Sequence, residues 1–324
     1  MNEQTSLPLS DKKNYRLRKS IRNNPILVKE LRGLMRQQRS RSVLTFYLII
    51  LVIIAFLFYV TVISANAINP DPDVRRTLGK IIFLAITLAE LAAILIVAPL
   101  FSADSITSER ENKTFDLIQI TSLTTGSIIR GKLFAGVMFS LIMLLSSLPL
   151  QSSAFLLGGL TPLEFFGSIV LLIVTTIFLC SFSIWASTRS RRTSSAMGLA
   201  YSIASIILIG FPTLVYVIIK LTPIPLDQDL FVSLQSISKP LDPILQTIVI
   251  AFIWLLIASN PISAAFVSYN LYLDEGARIL YDLTAFNASF PFLAPWITFA
   301  LLYLFISWLF YWSSIRQIKQ NNKL

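Results

Sequence analysis

The chain has 324 residues, 55% of them hydrophobic and 14% charged, with a mean hydropathy of +0.71 and a formal net charge of +10. About a quarter of a soluble domain is charged, so this composition excludes a water-soluble globule and fits an integral membrane protein. There is no His and one Cys, which excludes an intrachain disulfide and the histidine-based nucleophile sites of many hydrolases.

Residues Met1–Asn23 form a basic tail of low apolar content, and the first 42 residues carry eleven Lys or Arg. That is too long and polar for the start of a cleavable signal, so the first apolar run is expected to remain as a span. Asn24 and Pro25 suit the N-cap and first position of a helix over residues 24–42. Leu27, Leu31 and Leu34 share one face, with Lys29, Arg32, Arg36 and Arg39 around it. This reads as an amphipathic helix in the headgroup region; the plainer alternative is a solvated basic tail. No aromatic residue interrupts the basic run between Arg16 and Arg41, which argues against nucleic-acid binding.

From residue 43 onward the chain reads as one transmembrane domain. Runs long enough for a core of about 30 Å lie near Val43–Ala65, Ile81–Phe101, Leu133–Leu157, Phe165–Ser187, Ser195–Ile219 and Trp296–Ser314. Ile244–Ala258 is shorter and stops at Asn260-Pro261, which suits a re-entrant helix within an outer segment over 220–295. Six spans with both termini cytoplasmic place 21 of the 27 basic residues inside, and Thr188–Arg192 in a short loop weighs heavily in that count. The fold expected is an all-α integral membrane protein. Cys180, inside an apolar run, reads as a small buried hydrophobe.

Little here suits catalysis. Gly126–Lys132 comes within one residue of a P-loop, but Leu133 stands where the Mg²⁺-binding hydroxyl is required and no strand precedes it. It is rejected as a nucleotide site; its glycines are expected to turn the chain back into the bilayer. Glu90 lies near the middle of the second span. A carboxyl there serves a proton relay or cation recognition, or else is a protonated or hydrogen-bonded group pinning two helices. Thr87, Gln151, Thr175 and Thr176 are expected to form interhelical hydrogen bonds.

The polar insert from Asp104 to Lys132 separates the second and third spans. Ser108 and Glu111 form a capping-box pattern, and Glu109 with Lys113 an i, i+4 pair. Phe115, Leu117 and Ile118 supply an apolar face, and Thr121-Ser122 ends the expected helix.

This insert resembles the coupling segment of permeases of the type-2 exporter class of ATP-binding-cassette (ABC) transporters, whose pattern is approximately E-R-E-x-G-T-L-(E/D)-L-L-L-x-T-P-(L/V)-S-x-x-x-(I/L)-(V/L)-x-G-K. Glu109, Arg110, Glu111, Thr114, Asp116, Leu117, Thr121, Ile128, Gly131 and Lys132 match it. Departures are Asn112-Lys113 in place of x-G, Phe115 for Leu, and Ser122-Leu123-Thr124 for T-P-L-S. Asn24–Arg32 is similar to the connecting helix that opens many such permeases. The resemblance implies six transmembrane helices, an N-terminal connecting helix, a cytoplasmic coupling helix between spans 2 and 3, and a re-entrant segment between spans 5 and 6. It further implies a non-enzymatic permease in a bacterial inner (plasma) membrane, paired as a homodimer or heterodimer. A separate ATPase subunit would bind ATP and Mg²⁺; this chain would bind no cofactor. Glu109, Arg110, Glu111, Thr114, Phe115, Asp116, Leu117 and Thr121 would couple to that ATPase, the two glutamates meeting basic residues on it. The competing readings are a proton- or ion-coupled secondary transporter using Glu90, and a membrane scaffold without transport activity.

Overall fold

The computed structural model describes residues 25–68, 72–115, 124–156, 161–210, 213, 251–252, 254–274, 280–285 and 288–321. The basic tail and most of the outer segment lie outside these residues. Helix α1 (Pro25–Arg36) begins on Pro25 as expected and turns Lys29, Arg32 and Arg36 to the exterior. Leu34 on its other face packs towards the apolar cluster of α2 (Gln38–Ile68) and α3 (Pro72–Ser102). After α3 come the short α4 (Thr107–Glu111), then α5 (Thr125–Leu156), α6 (Pro162–Arg189) and α7 (Thr193–Ser205). Helix α7 continues as a π-turn over Ile206–Gly210. Helix α8 (Pro261–Asp274), strands β1 (Leu280–Ala285) and β2 (Ala288–Leu293), and α9 (Pro295–Asn321) complete the order.

Among the described residues five helices are long and apolar enough to cross a membrane: α2, α3, α5, α6 and α9. The sixth expected span, Ser195–Ile219, is described as α7 and its π-turn; the rest of it lies outside the described residues.

Helix α6 is the hub. It opens on a capping box in which Thr161 N donates to Glu164 Oε2 (2.9 Å) and Glu164 N donates to Thr161 Oγ1 (3.3 Å), with Pro162 at the first position. Its Leu171, Leu172, Val174, Phe178 and Leu179 pack with residues of α3, α5, α7, α8 and α9 in the largest apolar cluster. An aromatic seam joins it to α9, with Phe178 and Tyr303 centroids 4.5 Å apart and Phe182 and Phe310 5.1 Å apart. Thr175 and Thr176 do not form the expected interhelical bonds. Each hydroxyl donates to its own helix, to Leu171 O (2.8 Å) and Leu172 O (2.9 Å), which satisfies it without a partner helix. Cys180 is fully buried, as expected. Gly136 of α5 sits against both α3 and α6: a β-carbon there would run into the Ser102 hydroxyl and lie 3.5 Å from Cys180 Sγ.

The end of the bundle opposite α4 is not purely helical, as the sequence had suggested. Strands β1 and β2 form an antiparallel hairpin with Leu280 opposite Leu293 and Ala285 opposite Ala288. Residues 254–258 are helical, and Trp254 Nε1 donates to Leu293 O at the hairpin's end (3.1 Å). The chain then breaks at Ser259–Asn260. Buried Asn260 accepts from Ile262 N (2.8 Å) and Ser263 N (3.3 Å), capping α8 ahead of Pro261, and donates to Ile207 O (2.9 Å). A π-turn redirects the backbone bonds of its host helix, which suits Ile207 to accept from outside. Tyr303 donates to Ser259 O (2.6 Å), so this break lies eight residues down α9 from Pro295, roughly 12 Å along its axis.

Candidate functional site: the segment between α3 and α5

The chain leaves α3 at Ser102 and crosses to α5 through a turn, α4 and residues 112–124, of which 116–123 are outside the described residues. Asp116, Leu117 and Thr121 of the expected coupling set fall there.

Helix α4 is short and bound on all sides. The expected capping box does not form: Ser108 lies inside the helix, and the N-cap residue Ile106 makes no side-chain cap. The free N–H groups of Ile106 and Thr107 instead both donate to Ser187 Oγ on α6, each at 3.1 Å. A helix start that is buried must be capped from somewhere, and here a neighbouring span provides the acceptor.

The helix also stops earlier than the sequence suggested. Lys113 takes φ 56°, Lys113 N donates to Arg110 O (3.1 Å), and Thr114 N donates to Glu109 O (2.9 Å). These two bonds are the Schellman pattern, which requires a left-handed residue at the position after the C-cap Asn112. Lys113 stands where the resembled pattern has Gly. The helix expected to run to Thr121 is therefore broken after Glu111.

Successive residues on a helix point about 100° apart, so three in a row fan out in three directions. Glu109, Arg110 and Glu111 use that fan to reach three different helices. Glu109 Oε1 accepts from Lys132 Nζ of α5 at 2.8 Å; it does not pair with Lys113, which the left-handed turn takes off the helix. Arg110 Nη1 donates to Thr188 O (2.9 Å) and Ser190 O (3.2 Å), carbonyls that the end of α6 leaves open. Its guanidinium carbon lies 5.3 Å from the Phe115 ring centroid. Glu111 accepts from Thr193 N and Thr193 Oγ1, both at 2.8 Å, and so caps α7, whose own N-cap residue Arg192 makes no side-chain cap. Those two bonds hold the Glu111 carboxyl below the ordinary carboxylate range, with Arg192 adding to the effect.

Lys132 closes the arrangement. Its ammonium has three donors and three acceptors: Glu109 Oε1, Glu30 Oε1 of α1 (3.1 Å) and Ser105 O (2.7 Å). The residue is only 4% exposed. Burial raises the pKa of neighbouring Asp104, while Arg39 and Lys132 draw it back. Residues 125–132 are helix, and Thr124 rather than a glycine begins it, with Ser127 N donating to Thr124 Oγ1 (3.3 Å). Gly126 is inside α5 facing Ile315 of α9 and makes no turn. Phe115 is buried with Ile106, Ile129, Ile184 and Ile318, joining the segment to α5, α6 and α9.

Of the expected coupling residues that are described, Glu109, Arg110 and Phe115 are turned towards this chain's own helices, and Glu111, though exposed, is bonded to Thr193 of α7. Among the described residues of the segment, Glu111, the turn Asn112, Lys113 and Thr114, and Thr124 are exposed. Sequence reasoning matched Lys132 to the resembled pattern without giving it a role, and did not single out Ser187 or Thr193. Lys132 carried a signal, the G-K pair of the resembled pattern; Ser187 and Thr193 carried none.

Compared with known families, the chain matches the model described as ABC-2 family transporter protein over residues 25–310. No curated protein matches the chain.

Proposed function

The chain belongs to the ABC-2 transporter family as a membrane permease component, and on that footing we propose that it forms part of an exporter's pathway and is driven by a separate ATPase gripping the α4 segment. The observation that carries this reading is the fan of Glu109, Arg110 and Glu111. A load applied at the exposed turn 112–114 passes through one short helix into α5, α6 and α7 together, and through Lys132 into α1. A loosely tethered loop would move alone; this one moves four helices. The glutamates therefore fasten the coupling segment to its own chain, and the exposed turn with the residues following Phe115 meets the ATPase.

The same end gathers the start of α5, the ends of α3, α6 and α9, and α1. Returning the chain to that end after α6 requires α7 to cross, which supports six crossings. The excess of basic residues on that side supports a cytoplasmic location for both termini, in a bacterial inner membrane. The break at Asn260, partway down α9, supports a re-entrant segment between the fifth and sixth spans. ATP and Mg²⁺ belong to the ATPase, and a second permease, identical or related, completes the pathway.

The test is the ATPase rate of the purified complex. Lys132→Glu should leave ATPase bound but abolish the permease's stimulation of hydrolysis, and adding Glu109→Lys should restore part of it. A chain that purifies without any ATPase, or a Lys132→Glu variant with normal stimulation, overturns the proposal.

A further inference from the structure

Away from the α4 segment, one polar pair lies in the membrane core. Glu90 of α3 is 0% exposed and Gln151 of α5 is 1% exposed, and Gln151 Nε2 donates to Glu90 Oε2. The two other oxygens of this pair, Glu90 Oε1 and Gln151 Oε1, are both buried and both without a hydrogen-bond donor. Ser147 of α5 and Tyr47 of α2 adjoin the same carboxyl, but the Ser147 hydroxyl donates to Leu144 O (2.7 Å). Among the described residues no ion pair includes Glu90. Lys80, on the same helix, is ten residues and roughly 15 Å away.

An ionised carboxylate here would be a buried charge without a cation, beside an amide oxygen that also lacks a donor. Both defects have the same remedy. We propose that Glu90 is a proton-binding site that stays occupied: the carboxylic acid donates from Oε1 to Gln151 Oε1 while Gln151 Nε2 donates to Oε2, closing a neutral two-bond ring between α3 and α5. The proton adds one donor exactly where two acceptors lacked one, and no charge remains to be desolvated. The ring is a latch holding the first three spans in register, with Tyr47 bringing in α2. It is not a relay, because a proton locked between two side chains is not handed on. The inference is independent of the ATPase assignment.

The experiment compares wild type, Glu90→Gln, Glu90→Leu and the exchange Glu90→Gln with Gln151→Glu, purified in detergent. An amide at position 90 forms the same two-bond ring with Gln151, so Glu90→Gln should melt with the wild type, whereas Glu90→Leu melts several degrees lower. The infrared difference spectrum of wild type minus Glu90→Gln should contain the carbonyl band of a protonated carboxyl at about pH 6, well above the ordinary Glu value. The exchanged pair should restore band and melting point, which keeps the test decisive if a single variant folds poorly. A carboxylate band in place of the carbonyl band at about pH 6, or Glu90→Gln melting as low as Glu90→Leu, overturns the proposal.

Discussion

Lys113 holds a left-handed backbone that favours glycine. A side chain in that conformation costs roughly 1–2 kcal/mol, and Lys113 is exposed with no ion pair among the described residues to offset it. Lys113→Gly is therefore expected to stabilise the α4 turn by about 1 kcal/mol, read as a higher melting temperature of the detergent-solubilised protein; a lower one would mean the turn is not the Schellman pattern. Glu111 yields a pH prediction. Its folded carboxyl titrates below the value of 4.5 for a free one, so its support of α7 is complete above that value and is lost as pH falls through the lowered one. Protection of the first-turn amides of α7, corrected for the intrinsic pH dependence of exchange, should fall on acidification in the wild type and be low at neutral pH in Glu111→Gln. Unchanged protection in that variant would remove Glu111 as the cap.

The helices illustrate what sequence can carry. Pro25, the apolar runs and the Thr161-Pro162 start with Glu164 are local signals, and the observed elements begin or extend from them. The charged core of the coupling segment was legible as a motif, and its residues do meet in one place. Their direction was not legible. Whether Glu109 faces a partner or Lys132 depends on how α5 packs beside α4, which no spacing within residues 104–115 encodes. The same holds for Ser187, which caps α4 from 80 residues away, and for Thr175 and Thr176, whose hydroxyls turn back on their own helix. The hairpin of 280–293 was missed because the sequence reads its residues only as part of the outer segment built around a re-entrant helix. Packing between elements gives a further prediction. Gly136→Ala should destabilise the α3–α5–α6 crossing by about 1–3 kcal/mol, because the methyl group meets the Ser102 hydroxyl. Ser102→Ala in the same chain should recover most of the loss, measured by thermal unfolding; full stability of Gly136→Ala alone would mean the crossing is looser than described.

Taken as a whole, the protein is a helical membrane bundle in which Glu30, Glu109, Arg110, Glu111 and Lys132 gather at one end and fasten a short helix to the helices around it. Helix α6 is held at that end by Arg110 and along its length by the aromatic seam with α9, so displacement of α4 is transmitted to the center of the bundle. The opposite end holds the break at Asn260, clasped by α7 and α9. On this account the ATPase touches the turn 112–114, while Glu109 and Glu111 beside it are bonded to α5 and α7. A photocrosslinking amino acid placed at Asn112, with a second at Leu280 on the hairpin as control, tests that arrangement in intact cells. The account predicts an adduct with a P-loop ATPase from position 112 and none from position 280. An adduct from the hairpin, or no ATPase adduct at position 112, would contradict it.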